Sequence, residues 1–466
     1  MYIDLQNDDT ICALASPAGM GAIAVIRVSG KASHSIANQI FKAAKKTFVM
    51  DQSESHKAYF GQIVDSVGFV DEVLLTVFRA PHSYTGEDAV EISCHGSVYI
   101  QQRMLKLLLS KGARLAEPGE FTMRAFGNGH FDLAQAEAVA DLIASQSKAA
   151  HSLAVNQMRG GFSERIKDLR TQLIDFTALI ELELDFSEED VEFANRDKFK
   201  ELLQQLRKEI SRLMESFQTG NAIKNGIPVA IIGKPNVGKS TLLNAILNEE
   251  KAIVSDIPGT TRDTIEDTII LDGQAFRFID TAGLRQSEDV IENLGIERTY
   301  DKIQKATVIL YLCDLTACDN DSADEMIHEF RDFIQDENKH FILIGNKADL
   351  LLETPAHFSE MVALETIFIS AKRKENINLI IDSLLQIAQR LDTNQDTIVS
   401  NVRHYNALHQ ALVSLDAVEE SFAQNLPTDL VAIDLRAALH HLGTITGQIS
   451  NDEILGSIFS KFCIGK

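Results

Sequence analysis

The chain runs to 466 residues, of which 45% are hydrophobic and 24% charged, and it carries a formal net charge of −23. Such a length supports two or three ordinary globular domains. So acidic a balance excludes a protein that grips nucleic acid over a broad surface of its own, because phosphate binding needs clustered Lys and Arg; a local patch or a partner must supply any such surface.

Residues 1–128 carry short apolar runs, at 22–26 and 73–78, between Gly and Pro turns, which predicts a mixed α+β domain. From 129 to 221 the turns thin out. Leu133, Ala136, Ala140 and Ile143 recur at helical spacing, the texture continues through 169–184, and the acidic stretch 181–192 reads as a solvated helix end and loop. Between 222 and 385 short apolar strands, at 229–232, 276–279, 308–312 and 341–344, alternate with helical segments. Helical texture returns over 386–466, with Leu408, Leu412, Leu415 and Val418 in one run. Neither helical stretch looks self-sufficient. The expected fold is therefore multidomain, α+β and α/β, with one helical domain interrupted by an inserted α/β module.

That module opens on Gly233-Lys234-Pro235-Asn236-Val237-Gly238-Lys239-Ser240, a complete G-x-x-x-x-G-K-S phosphate-binding loop, followed by Thr241. An apolar strand precedes it, and Leu242, Leu243, Ala245 and Ile246 follow at helical spacing, as such a loop requires. Its amides and the helix N-terminus would cradle phosphates. Lys239 would neutralise the β- and γ-phosphates, and Ser240 would offer its hydroxyl to Mg²⁺. Asp280-Thr281-Ala282-Gly283 comes next, with Asp280 to hold Mg²⁺ through water and the Gly283 amide to sense the γ-phosphate. Asn346-Lys347-Ala348-Asp349 ends a further strand. The Asp349 carboxylate matches the N1 and N2 donors of guanine, a pair adenine lacks, so the nucleotide is GTP. Ser370-Ala371-Lys372 would support the base from its other side.

Between loop and Asp280, the run Ser255-Asp256-Ile257-Pro258-Gly259-Thr260-Thr261-Arg262-Asp263 reads as a first switch, Thr261 closing over Mg²⁺ and the γ-phosphate. Leu284 stands where many GTPases place a water-orienting glutamine. The chain must hydrolyse slowly, borrow a residue from a partner, or use another group. Glu292 is the candidate, against the plainer reading of a solvated helix residue. Asn236 is placed to bind a monovalent cation, which would supply positive charge at the β–γ bridge.

No apolar run approaches a membrane span, and the acidic start reads as neither a secretory signal nor a basic transit peptide. Five scattered cysteines (Cys12, Cys94, Cys313, Cys318, Cys463) show no metal spacing and suit reduced thiols in a cytoplasm. The end of the chain, Phe462-Cys463-Ile464-Gly465-Lys466, is not a prenylation box. Cys463, between Lys461 and Lys466, is a candidate low-pKa thiol; the alternative is a small buried thiol that helps dock the tail. Arg27 and Glu91 lie on expected strands, where a strand-end salt bridge accounts for each as well as a ligand contact does.

Over essentially its whole length the chain resembles the MnmE (TrmE) family of tRNA-modifying GTPases. The resemblance is carried by Pro118-Gly119-Glu120-Phe121-Thr122 with Arg124-Ala125-Phe126, by Asp132-Leu133-Ala134-Gln135-Ala136-Glu137-Ala138, by Gly259-Thr260-Thr261-Arg262-Asp263, by Asp280-Thr281-Ala282-Gly283-Leu284-Arg285, and by the Cys-Ile-Gly-Lys tail. It implies a folate-binding-like N-terminal domain at 1–128 that also dimerises the chain. It implies helical parts at 129–221 and 386–466 around a Ras-like P-loop GTPase domain at 222–385. The one-carbon donor it implies is 5-formyl- or 5,10-methylene-tetrahydrofolate, contacted at Arg27, Glu91, Lys466 and His130, the last standing where the family usually has lysine. It further implies GTPase domains that meet around K⁺, held by Asn236 with Ser255, Ile257 and Thr260, and Glu292 as the group that orients water. A partner, MnmG (GidA), would bring FAD and NADH, form a heterotetramer and present tRNA. The reaction implied is addition of an aminomethyl or carboxymethylaminomethyl group at C5 of the wobble uridine (U34), with Cys463 a candidate catalytic thiol. Two other readings remain: a GTPase switch in ribosome assembly, for which no basic RNA-binding domain is visible, and a folate-dependent transferase with GTP as a structural ligand.

Overall fold

The computed structural model describes residues 9–185, 196–249, 252–254, 267–279, 300, 302–318, 320–351, 364–391, 398–424, 426–450 and 452–465. They form two compact units. One gathers Met1–Ala140, Gln157–Phe199 and Val413–Lys466; the other gathers Asp141–Asn156 and Lys200–Leu412. No helix among the described residues is long and apolar enough to cross a membrane.

The first unit is built on a seven-stranded sheet: β1 Ile11–Leu14, β2 Ile23–Ser29, β3 Phe41–Ala43, β4 Lys57–Asp65, β5 Gly68–Phe78, β6 Ala89–His95 and β7 Arg114–Leu115, in the order β3-β4-β5-β6-β2-β1-β7. All pairings are antiparallel except β1 with β7. Strand alternation sorts the side chains. Ala24, Ile26 and Val28 of β2 join Val90, Ile92 and Cys94 of β6 in a core closed by Ile36 and Ile40 of α1 (Ser33–Ile40) and Met104 and Leu108 of α2 (Val98–Ser110). The intervening positions face the other way, and there the register sets Arg27 directly opposite Glu91.

Two short helices, α3 (Glu120–Gly127) and α4 (Leu133–Ala144), continue the chain. The start of α4 is written in the Asp132-to-Gln135 run. The Gln135 backbone N–H donates to Asp132 Oδ1 at 2.9 Å, and the Asp132 N–H donates to Gln135 Oε1 at 3.0 Å. This is a capping box with Asp and Gln in the usual Ser and Glu places. After α5 (Lys148–Met158), α6 (Gly161–Asp185) buries Ile166, Leu169, Leu173 and Ile180 at helical spacing and packs along the helix Thr428–Thr446. The final helix, Asp452–Phe459, lays Leu455, Ile458 and Phe459 against Met123 of α3 and Leu133 and Ala136 of α4, with Phe462 beyond it. Burying a side chain such as Phe459 contributes roughly 1.5–3 kcal/mol, so this last segment is a firm part of the unit.

The second unit receives the long helix α7 (Arg196–Asn225) and continues into another seven-stranded sheet. Its strands are β8 Ile227–Ile232, β9 Ala252–Val254, β10 Asp267–Leu271, β11 Gln274–Phe278, β12 Val308–Asp314, β13 His340–Asn346 and β14 Glu365–Phe368, ordered β14-β13-β12-β8-β11-β10-β9. The five strands from β14 to β11 are parallel, and β10 runs antiparallel to both its neighbours. Parallel strands are buried on both faces, hence the continuous apolar runs. Val229 and Ile231 face α8 (Lys239–Leu247) and the helix Ile377–Leu391, while Ala230 and Ile232 face Met326, Phe330 and Phe341 on the opposite side.

Candidate functional site

In an open parallel sheet, ligands collect beyond the carboxyl ends of the strands. The motif residues that the structure describes gather there. After Ile232 ends β8, Gly233 to Gly238 form the loop and Lys239 opens α8. Gly238 has φ +103°, and a Cβ on it would collide with the Asn346 side-chain amide, so only glycine fits. Lys239 Nζ donates to the carbonyls of Gly233 at 2.8 Å and Lys234 at 2.9 Å, folding its charge over the loop that a phosphate would enter. Asn236 is exposed in a left-handed turn with φ +60°, a conformation Asn tolerates better than most residues. Ser240 is half-buried in the first turn of α8, while Thr241 is exposed.

Asn346 ties the site together. Its Nδ2 donates to the Val237 carbonyl at 2.7 Å, and its Oδ1 accepts the Ala371 backbone N–H at 3.0 Å. One buried side-chain amide thus holds the phosphate loop, the end of β13 and the Ser370-Ala371-Lys372 turn in fixed relation. Lys347, at φ +66°, reaches Asp314 Oδ2 at 2.5 Å. Burial works against the Asp314 charge, but the Lys347 ammonium and hydrogen bonds from Thr316 hold its carboxyl below the ordinary range. The Ala348 N–H donates to the Ile369 carbonyl at 3.0 Å, and Asp349 sits in a 3₁₀ turn, Ala348–Leu350, with its side chain 8% exposed. Arg373 Nε lies 3.3 Å from Asp349 Oδ2. Ser370 is buried, and Lys372 is exposed. Ser255, Asp256, Ile257, Pro258, Gly259, Thr260, Thr261, Asp280, Thr281, Ala282, Gly283, Glu292 and Lys466 lie outside the described residues.

A second constellation lies in the first unit. Arg27 Nε and Nη2 contact Glu91 Oε1 at 2.9 and 2.8 Å, so the two are each other's partner across β2 and β6. The Arg27 guanidinium also rests over the Tyr84 and Phe121 rings, 5.0 and 5.6 Å from their centroids. Its Nη1 is buried and has no hydrogen-bond partner among the described residues. His130 is exposed and lies against Gly86, in the turn after Tyr84. Tyr84 itself is fixed by a 2.8 Å hydrogen bond to the Thr122 hydroxyl.

The tail reaches the same region. Gly119 donates its N–H to the Cys463 carbonyl at 3.4 Å. Gly465, at φ +97°, runs so close to β1 that a Cβ there would collide with the Leu14 carbonyl oxygen. The alternative of a buried docking thiol is corrected here: Cys463 is exposed, and its neighbours Phe462 and Gly465 do the docking. Sequence reasoning also passed over the ionic cluster beneath the 118–122 motif. Glu120, 1% exposed, accepts from Arg114 at 2.7 and 3.0 Å, from Arg124 at 3.1 Å and from the Glu117 N–H at 2.8 Å, while Asp9 bonds both arginines. The only signal in the sequence was a buried-looking Glu and Arg four apart on one helix.

A mainly parallel sheet with a phosphate loop between its central strand and the next helix, locked by an asparagine to the Ser370-to-Lys372 turn, makes the second unit a P-loop G domain. A family model described as the MnmE helical domain matches residues 133–463, and one described as the GTP-binding protein TrmE N-terminus matches residues 10–130. The tRNA modification GTPase MnmE of Flavobacterium johnsoniae is 52% identical, over 99% of this chain and 100% of that protein. Its namesake in Flavobacterium psychrophilum is 51% identical over 98% and 99%, and one in Bacteroides fragilis 50% identical over 99% and 100%. The chain belongs to the MnmE family of tRNA modification GTPases. Among solved structures, the G domain of the T. maritima FeoB iron transporter covers 35% of this chain and 99% of that one, at 22% identity and a TM-score of 0.26, too partial a superposition to bear on the reading.

Proposed function

We propose that this GTPase works with an FAD- and NADH-using partner resembling MnmG (GidA) to place an aminomethyl or carboxymethylaminomethyl group on C5 of the wobble uridine of certain tRNAs. The carbon comes from 5-formyl- or 5,10-methylene-tetrahydrofolate. What supports the folate part is Arg27: a guanidinium anchored on Glu91 and two rings, with one buried N–H edge unsatisfied among the described residues, fits a ligand oxygen. His130 and Lys466 are the further proposed contacts, and Cys463, exposed on the docked tail, is the proposed thiol.

In the G domain the loop amides and Lys239 bind phosphate. Ser240 supplies a hard oxygen suited to Mg²⁺, with Thr261 and the water-mediated Asp280 as its companions. Asp349 selects guanine, and Asn346 sets its distance from the phosphate loop. Glu292 orients water. Asn236, with Ser255, Ile257 and Thr260, holds K⁺ when two G domains meet. The chain is a homodimer through its N-terminal domains and a heterotetramer with its partner, and it acts in the cytoplasm. Its proposed domains are 1–128, 129–221, 222–385 and 386–466.

The test is nucleoside mass spectrometry of tRNA from cells lacking the protein. Loss of C5-substituted wobble uridines, restored by the wild-type chain but not by Asp280→Ala, is the expected result. An unchanged profile would overturn the role in favour of a ribosome-assembly switch.

A further inference from the structure

Beneath the phosphate loop the second unit holds a cavity of about 220 Å³, whose lining includes Lys234, Asn236, Met326, Cys313 and Cys318. Cys313 is buried near the end of β12, its thiol 3.6 Å from the Ile344 carbonyl. Asp314 ends the strand, and its carbonyl accepts the Ala317 N–H at 3.1 Å. The chain therefore doubles back and returns Cys318, half-exposed, to the same wall. Cys318 beside it, and then burial, push the Cys313 pKa up, and Cys318, the more exposed of the two, is the sulfur an oxidant reaches. All five cysteines of the chain are free thiols.

We propose that Cys313 and Cys318 are a reversible dithiol–disulfide site, oxidised by hydrogen peroxide, whose closure weakens guanine-nucleotide binding. Peroxide transfers one oxygen to the Cys318 sulfur, giving a sulfenic acid and one water. The Cys313 sulfur then displaces that hydroxyl, which leaves with the Cys313 proton as a second water. Two thiols have lost two electrons, and the peroxide has gained them. A small thiol reverses the bond by exchange. The link to nucleotide is Asp314, which lies inside the closed ring. Its Oδ2 holds Lys347, and its Oδ1 accepts the Thr316 N–H at 3.0 Å and hydroxyl at 2.7 Å. Drawing the sulfurs to a bond of about 2.05 Å tightens this turn and pulls Asp314 away from Lys347. This second half rests on reading 346–349 as the guanine motif.

The experiment treats the full-length protein with hydrogen peroxide, then alkylates it and maps the peptide between Lys305 and Arg331, which contains both cysteines. Fluorescent GDP titration follows on the same samples. The expected result is an unalkylated peptide lighter by two hydrogens, with GDP binding weakened about tenfold, both reversed by dithiothreitol and absent in Cys318→Ser and Cys318→Ala. Two thiols that both remain alkylatable after peroxide would overturn the site. A closed ring with unchanged GDP affinity would overturn its control of nucleotide. If the reduced protein bound no guanine nucleotide, the guanine-site reading would fall, while the peptide map would still judge the disulfide.

Discussion

Replacing Asn346 by Ala isolates the joint on which the nucleotide site depends. The side chain is 3% exposed and makes two hydrogen bonds, to the Val237 carbonyl at 2.7 Å and from the Ala371 N–H at 3.0 Å. Truncation strands both backbone groups, and each stranded buried group costs about 1–3 kcal/mol. The same truncation frees the phosphate loop to move against the base-side turn. If about 2 kcal/mol of the loss appears in binding, GDP affinity falls about thirtyfold. Fluorescent GDP titration measures it directly, and melting of the protein with and without GDP reports the remainder. An affinity within about twofold of wild type would refute the reasoning, because the two loops would then be held by something other than this amide. Asn346→Asp is the informative companion. It keeps the acceptor for Ala371, loses the donor to Val237 and adds a charge, so it should bind GDP more weakly than wild type.

Four further outcomes are expected. Glu120→Gln removes the charge that faces Arg114 and Arg124 in a buried cluster and should destabilise the first unit by about 3 kcal/mol in thermal melts; a change under about 0.5 kcal/mol would show the cluster to be solvated. Glu120 and Asp9 both titrate below their ordinary values, since Arg114 and Arg124 outweigh the cost of burial. Their stabilisation is complete above the unfolded-chain pKa of about 4 and is lost as pH falls through the lower folded values, so the wild-type melting temperature should drop below pH ~4 and Glu120→Gln should flatten that drop. GTP hydrolysis should be fast in KCl and slow in NaCl, and equal rates would remove the potassium assignment of Asn236. Cys463→Ser should abolish wobble-uridine modification in cells, and full modification would end its chemical role.

The G domain was legible because its chemistry is local in the chain. A strand, six loop residues and a helix lie in one stretch of chain, and the Asn346-to-Asp349 run closes a further strand, so each motif is readable by itself. What escaped is what only three-dimensional proximity creates. Val237, Asn346 and Ala371 belong to three separate motifs, and nothing in their spacing shows that one amide joins them. Arg27 and Glu91 were each weighed between a salt bridge and a ligand contact. The register of β2 on β6 shows the salt bridge, and the buried Nη1, unpartnered among the described residues, keeps the ligand contact as a proposal beside it. The Asp132-to-Gln135 run, used as a mark of resemblance, has a plain mechanical cause as a helix cap. Cys463 was misjudged in its buried alternative because small size and an apolar neighbourhood suggest burial, whereas the backbone at Gly465 and the ring of Phe462 seat the tail and leave the thiol outside.

The contact of Gly465 with Leu14 joins segments from near opposite ends of the chain. A ribosome makes β1 and the Pro118-to-Thr122 turn first and the segment that covers them last. During synthesis Met123, Leu133 and Ala136 therefore wait without Leu455 and Phe459, while the sheet from β8 to β14 emerges in one stretch and has its partners at once. Vectorial synthesis thus favours a G domain that matures before the N-terminal unit is sealed. Completion of that unit falls to the slowest class of contact, closure over a very long loop. A product that stops short of Leu455 would therefore keep the β8-to-β14 sheet while Met123, Leu133 and Ala136 stay uncovered.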